Sequence, residues 1–170
     1  MTASGVVHLE TVDSAAAGEN LTVRTTRTIE SVGSLVELVS GDNLTLEDSS
    51  TVLASESIEL TADVPDADPG TGSTVNLFGT LDSSLGTTLT TGPDADIINV
   101  NPGDLHTVDA TAIDSGSGDD VLNIQHGRLT GGSDAVSIVD GAGFDVLNVS
   151  GTGLDEAVSY THLTLPTTNS

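Results

Sequence analysis

Polar and apolar residues alternate along this chain in short runs, and glycine, aspartate, asparagine and serine fill the intervals between them. Alternation with a period of two, in runs rich in β-branched residues, predicts strands that bury one face. No stretch keeps a 3.6-residue period between capping residues, so we expect almost no helix. The clearest runs share one form, a polar residue between two apolar ones: Leu44-x-Leu46, Ile58-x-Leu60, Val75-x-Leu77, Leu122-x-Ile124, Val136-x-Ile138 and Leu147-x-Val149.

A turn followed by such a run returns at a nearly constant interval. Residues 18–23 (GENLTV) recur as residues 41–46 (GDNLTL), and glycine-rich turns place Asp96, Asp120 and Asp145 before three later runs. These aspartates are 24 and 25 residues apart. Repetition at a fixed period predicts an all-β, right-handed parallel β-solenoid with about 23–25 residues per coil and about six or seven coils. The alternative is an antiparallel β-sandwich, in which sequence neighbours pair.

Asparagine repeats with the same period. It stands one position before the last apolar residue of three runs. Amides stacked coil over coil can bond to one another, which predicts a ladder with a structural role. The residues concerned are Asn99, Asn123 and Asn148.

We expect one solenoid region over residues 1–157, as a piece of a larger protein. Residues 63–72 contain two prolines and three aspartates and interrupt the repeat, which predicts a solvated loop that bulges from the coil. The alternative is that this segment is a second cation-binding loop. Residues 158–170 contain the only tyrosine and no acidic residue, and they resemble translated sequencing-adapter read-through. We expect this tail to be non-native, and the alternative is one more strand.

The charge of the chain restricts its partners. The formal net charge is −23, from 26 acidic residues against three Lys and Arg. Such a chain does not suit nucleic acid, which requires cations against phosphate, and it favours metal ions or a basic protein surface. The alternative is that the acidity only keeps the chain soluble. The absence of cysteine excludes disulfides, and the lack of a long apolar run predicts no membrane insertion.

The turns around the three repeated aspartates have a chemistry suited to a cation. Glycine lets a tight turn bring carbonyl oxygens together, and aspartate adds a hard anionic oxygen. Ca²⁺ takes six to eight such oxygens in a flexible shell. If one interval is one coil, Asp96, Asp120 and Asp145 lie above one another on one edge, where a counter-ion relieves their repulsion. The alternative is that each aspartate only bonds to the backbone of its own turn.

The same turns resemble the nonapeptide G-G-x-G-x-D-x-U-x of calcium-binding β-rolls. Ser115 and Asp140 depart from the first glycine of two copies. The resemblance implies Ca²⁺ as the bound ion, held by turns on successive coils. The implied metal-site residues, with Asp94 and Asp119 as second-tier ligands, are Asp96, Asp120, Asp145, Asp94, Asp119, Gly116, Gly118, Gly141 and Gly143.

Residues 18–150 together resemble very large secreted or surface-attached bacterial proteins of the adhesin or haemolysin-type (RTX-like) repeat kind. The resemblance lies in GDNLTL at 41–46, GPDADIINVNP at 92–102, GSGDDVLNI at 116–124 and GAGFDVLNV at 141–149. It implies a non-catalytic structural or adhesive segment at the bacterial cell surface, stiffened by Ca²⁺. The implied partners are calcium ions, flanking repeats of the parent chain, and surface glycans or a protein of a host or neighbouring cell.

One enzymatic alternative stays open. Parallel β-helix polysaccharide lyases combine calcium-binding acids with a basic residue, and Arg128 follows the turn that contains Asp119 and Asp120. A polysaccharide-binding or polysaccharide-lyase fragment is therefore the alternative function. With three Lys and Arg in the whole chain, we expect no enzyme.

Overall fold

The fold, described from a computed structural model, consists of seventeen short strands in three parallel sheets. The structure describes residues 1–16, 18–100, 105–107, 111–125 and 136–150. These residues form no helix, so none of them belongs to a helix that could cross a membrane. The tail at 158–170, which was expected to be non-native, lies outside the described residues.

Each sheet takes every third strand of the chain. The first sheet comprises β1 (Thr2–Ala3), β4 (Thr28–Ser31), β7 (Thr51–Ala54), β10 (Thr80–Ser83) and β13 (Leu105–Thr107). The second comprises β2 (Val7–Glu10), β5 (Val36–Ser40), β8 (Ser57–Ala62), β11 (Gly86–Thr90), β14 (Thr111–Asp114) and β16 (Val136–Val139). The third comprises β3 (Leu21–Val23), β6 (Leu44–Leu46), β9 (Thr74–Leu77), β12 (Ile97–Val100), β15 (Val121–Gln125) and β17 (Val146–Ser150).

This strand order makes the chain a parallel β-solenoid. Each coil contributes one strand to each sheet, and every pairing joins a strand to its counterpart one coil away. The predicted parallel solenoid is confirmed, and the antiparallel sandwich is wrong because no sequence neighbours pair in the described sheets. The described residues form about five turns, and the connections between strands differ in length. Asn20 and Asn43 lie 23 residues apart on adjacent coils, whereas Asn43 and Thr74 lie 31 apart.

Apolar residues at equivalent positions stack into columns inside the coil. The matches that the sequence suggests are found, since Leu21 pairs with Leu44 and Ile29 with Val52. A side chain in a column is covered by its counterparts above and below, so small aliphatic residues fill a lumen that has no need of large rings. One column crosses the whole second sheet: Leu9, Leu38, Leu60, Leu89, Ile113 and Ile138.

The third sheet carries the predicted asparagine ladder. The side-chain amide of Asn123 donates to Asn99 Oδ1 at 2.9 Å, and Asn148 donates to Asn123 Oδ1 at 2.9 Å. Asn99 continues the ladder by donating to Asn76 Oδ1 at 2.8 Å. Asn99 and Asn123 therefore each accept from the coil after and donate to the coil before, which helps to fix the register between coils.

Replacement of Asn123 by alanine is expected to destabilise the solenoid. The change removes two ladder bonds and leaves Asn99 Oδ1 and the Asn148 amide without these partners, which costs about 1–2 kcal/mol of unfolding free energy. Urea unfolding followed by far-ultraviolet circular dichroism measures the loss. Thr88→Ala, on an exposed position of β11, is the control and should change little. Equal stability of the two variants would show that the ladder contributes nothing.

Candidate functional site

Acidic residues concentrate at the corner where the second sheet passes to the third. We call this edge the acidic corner; it comprises the connections 11–20, 41–43, 63–73, 91–96, 115–120 and 140–145. None of these segments contains Lys, Arg or His. Because coils stack in register, the corner is a band of negative charge that runs along the solenoid. Its acidic residues are Asp13, Glu19, Asp42, Asp63, Asp66, Asp68, Asp94, Asp96, Asp119, Asp120, Asp140 and Asp145.

The three repeated aspartates form a column within this corner. The backbone N–H of Asp120 donates to Asp145 Oδ1 at 3.0 Å, and that of Asp96 donates to Asp120 Oδ1 at 2.9 Å. Asp96 Oδ1 in turn accepts from the N–H and hydroxyl of Ser73 at 2.6 and 2.8 Å. The structure thus brings Asp96, Asp120 and Asp145 together on one edge. Each carboxylate thus accepts a hydrogen bond from a backbone N–H of the preceding coil.

In this column, Asp96 and Asp120 each have one carboxylate oxygen without a hydrogen-bond partner. Asp96 is 1% exposed and Asp120 is 0% exposed, and the Oδ2 atom of each is buried with no hydrogen bond. Burial raises the pKa of both carboxyls, although their hydrogen bonds act in the opposite direction. An orphaned, buried anionic oxygen fits either a proton or a cation, so these residues are compatible with a bound metal ion.

The glycines of the turns are required by the close stacking of one turn on the next. A Cβ atom on Gly116 would overlap Gly92 O, and one on Gly118 would overlap Asp94 O. On the next coil, Gly141 and Gly143 meet the carbonyls of Gly116 and Gly118 in the same way. The repeated glycine pattern is therefore explained by backbone contact between coils, whether or not an ion is bound.

The two second-tier aspartates clasp neighbouring turns. Asp119 Oδ1 accepts from the N–H of Phe144 at 2.8 Å, one coil further along. Asp94 Oδ2 accepts from the N–H of Gly70 at 2.5 Å, which ties the loop 63–73 to the fourth coil. Asp94 is half-buried while Asp119 is exposed. The two side chains therefore differ in their exposure to solvent, although the sequence pattern treats them as equivalent.

The tightest groups of carboxylates lie outside the aspartate column. In each of three groups, one oxygen per residue lies within 4.8 Å of the others; within the described residues, none of these groups contains Asp96, Asp120 or Asp145. The sequence signal for two of them is the run of three aspartates at 63–72, for which a second cation loop is the alternative to a solvated bulge. The groups are Asp13–Asp63–Asp68, Asp13–Glu19–Asp42 and Asp63–Asp66–Asp94.

Asp63 shows the strongest electrostatic perturbation. Burial raises the pKa of its carboxyl from an ordinary 3.8 to about 7, and the nearby charges of Asp66, Asp96, Asp13 and Asp68 add to the rise. Asp66 has a raised pKa for the same two reasons, burial first and its aspartate neighbours second. The free energy needed to hold several negative charges together here is therefore greatest around Asp63.

The group Asp13–Glu19–Asp42 is more fully hydrogen-bonded. Asp42 Oδ2 accepts from the N–H groups of Gly18 and Glu19, the second at 3.0 Å. The hydroxyl of Ser14 donates to Glu19 Oε1 at 2.7 Å. These bonds give this group a structural role as a clasp between the first two coils.

Arg128, the basic residue of the alternative enzymatic interpretation, lies outside the described residues. The segments of the acidic corner contain no Lys, Arg or His, so none of them supplies a cationic side chain beside Asp119 and Asp120.

Gly118→Ala is expected to destabilise the stack by about 2 kcal/mol or more, since it combines backbone strain with a clash. Gly118 has φ of 139°, and an added Cβ would lie 2.5 Å from Asp94 C. Thermal and urea unfolding measure the effect. Gly5→Ala is the matched control because nothing lies within 4 Å of a Cβ there. A Gly118→Ala chain as stable as the control would contradict the stacking geometry.

In EDTA, the melting temperature is expected to fall as the pH rises from 5.5 to 8. Between its ordinary value and about 7, the Asp63 carboxyl keeps a proton in the folded chain that the unfolded chain has released. Its contribution is thus present at low pH and is lost as the pH passes the folded pKa. Asp96 and Asp120, whose pKa values are also raised, act in the same direction.

His8 needs to be controlled in this titration. Hydrogen bonds to Glu37 and Glu10 raise its pKa, so its contribution is also lost as the pH rises. The same scan on His8→Gln isolates the aspartates. A melting temperature that stays constant or rises from pH 5.5 to 8 in this variant would contradict the assignment of buried, unpaired carboxylates.

No protein-family model matches this chain, and no match is found among curated proteins or solved structures. What the chain does is therefore inferred from its repeat pattern and from the geometry of the acidic corner.

Proposed function

We propose that this chain is a non-catalytic structural segment of an extracellular bacterial surface protein, stiffened by Ca²⁺ along the acidic corner. The observation that carries the proposal is the column Asp96–Asp120–Asp145, in which carboxylates repeat coil by coil and Asp96 and Asp120 each keep one buried oxygen without a hydrogen bond. A β-solenoid of this kind is an elongated spacer, since each coil contacts only its neighbours. Its role in the parent protein is to extend or support an adhesive part.

Divalent cations supply what the column lacks. Stacked carboxylates repel one another, and the corner segments contain no Lys or Arg to offset them. A bound Ca²⁺ would be held by the oxygens of the Gly–Asp turns, with Asp96, Asp120 and Asp145 as acidic ligands and Asp94 and Asp119 beside them. Because the unfolded chain has no such array, the free energy of binding adds to the free energy of folding.

The surroundings of the protein would then control its stiffness. Extracellular calcium modules bind with dissociation constants of about 10⁻⁴–10⁻³ M, so such a segment is loose where calcium is scarce and ordered outside the cell. The partners we propose are calcium ions, flanking repeats, and a glycan or protein ligand held by another part of the parent chain. The high negative charge favours this role over binding to nucleic acid.

Addition of 10 mM CaCl₂ to the EDTA-treated chain is expected to raise the melting temperature by about 3–10 °C, from the affinity range of extracellular sites and mass action. Circular dichroism at pH 7.5 in 0.15 M NaCl follows the transition. The same concentration of MgCl₂ is the control for general screening and should give a smaller rise. A melting temperature that Ca²⁺ and EDTA leave unchanged would overturn calcium stiffening.

A further inference from the structure

The loop between β8 and β9, which belongs to the third coil, contacts an earlier coil and a later coil at the acidic corner. The N–H of Ala67 donates to Asp13 Oδ2 at 2.6 Å, a residue of the first coil that lies 54 positions away. The N–H of Gly70 donates to Asp94 of the fourth coil. The loop thus spans several coils, and aspartates anchor it at both ends.

The carboxylate of Asp63, at the start of this loop, is buried without hydrogen bonds. Asp63 is 1% exposed, and neither of its carboxylate oxygens has a hydrogen-bond partner. Its backbone N–H donates to Ser40 O at 3.0 Å, which fixes the residue at the corner. An unpaired carboxylate in such a place costs several kcal/mol unless a proton or a cation neutralises it.

The backbone around Asp63 is shaped to admit its carboxylate. A Cβ atom on Gly92 would lie 2.6 Å from Asp63 Oδ2, so the next coil requires glycine at this position. A Cβ on Gly41 would lie 2.7 Å from Asp13 Cα, so glycine also leaves room for the first coil's loop. Two glycines therefore hold open the space in which the acids converge.

We propose that Asp63 is the centre of a Ca²⁺ site that clamps this loop across the solenoid. The site is completed by carboxylates from three coils, whose oxygens lie within 4.8 Å of one another in two groups that share Asp63. They are Asp13 and Asp68 in one group, and Asp66 and Asp94 in the other.

The spacing and the supply of oxygens fit this ion. Ligands at 2.3–2.6 Å from one Ca²⁺ lie up to roughly 5 Å apart, which covers the 4.8 Å separation of the oxygens within each group. Buried oxygens without hydrogen bonds are Asp13 Oδ1, Asp63 Oδ1, Asp63 Oδ2, Asp66 Oδ1 and Asp68 Oδ1. Water completes a shell of six to eight. An irregular loop with many carboxylates suits the flexible geometry of Ca²⁺ better than the strict octahedron of Mg²⁺.

This centre goes beyond the proposed function, and it shares one residue, Asp94, with the turns beside the aspartate column. It involves neither Asp120 nor Asp145 and repeats on no other coil of the described chain. Its effect is local: it joins the first, third and fourth coils through one loop, whereas the aspartate column acts between adjacent coils.

The test is calorimetric titration of CaCl₂ into the full chain at pH 8 in 0.15 M NaCl. Asp63→Asn is expected to weaken the tightest calcium binding at least about tenfold, since the number of charged ligands sets the affinity. Asp48→Asn, at an exposed residue outside the corner, makes the same change in net charge and should bind as the wild type does. Asp68→Asn should weaken binding in the same direction as Asp63→Asn.

Thermal unfolding separates loss of the site from loss of the fold. In EDTA, Asp63→Asn is expected to melt above the wild type, since it removes a buried unpaired charge. In 10 mM CaCl₂ the wild type should gain more than the variant. If Asp63→Asn keeps wild-type affinity while calcium still raises its melting temperature, the Asp63 centre is overturned and the proposed function stands. If Asp63→Asn loses the tightest calcium binding, the Asp63 centre is supported, whether or not the aspartate column also binds calcium.

Discussion

The structure depends on one constraint, the parallel register that places each coil directly over the last. Strands that are one coil apart pair residue for residue, so whatever the sequence repeats becomes a column. Repeated leucines become core, repeated asparagines become an amide ladder, and repeated aspartates become a line of charge. The first two kinds of column stabilise the stack, whereas the third is tolerated only with hydrogen bonds, protons or cations to offset it.

The carboxylates of the acidic corner have two different hydrogen-bonding environments. In the column, one oxygen of each carboxylate accepts a hydrogen bond from a backbone N–H of the preceding coil, which joins successive turns. The two carboxylate oxygens of Asp63 have no such donors. The corner therefore combines a column whose carboxylates are partly satisfied by backbone N–H groups with the buried Asp63, whose carboxylate has no hydrogen-bond donor.

The fold could be predicted from the sequence because its signal is periodic. Matches such as Leu21 with Leu44 and Asp96 with Asp120 follow from a fixed interval and are found in the sheets and the column. Loop 63–73 could not be placed in this way, because an insertion has no counterpart one period away. Its contact with Asp13 joins residues 54 positions apart, and no local pattern indicates that approach.

Hydrogen–deuterium exchange in Ca²⁺ and in EDTA tests most directly whether the acidic corner is completed by a cation. Calcium should slow exchange at residues 63–73 and 91–96, while the connection 84–85 at another corner should exchange at the same rate in both conditions. Identical exchange throughout the acidic corner with and without calcium would contradict the account and leave its carboxylates a structural feature alone.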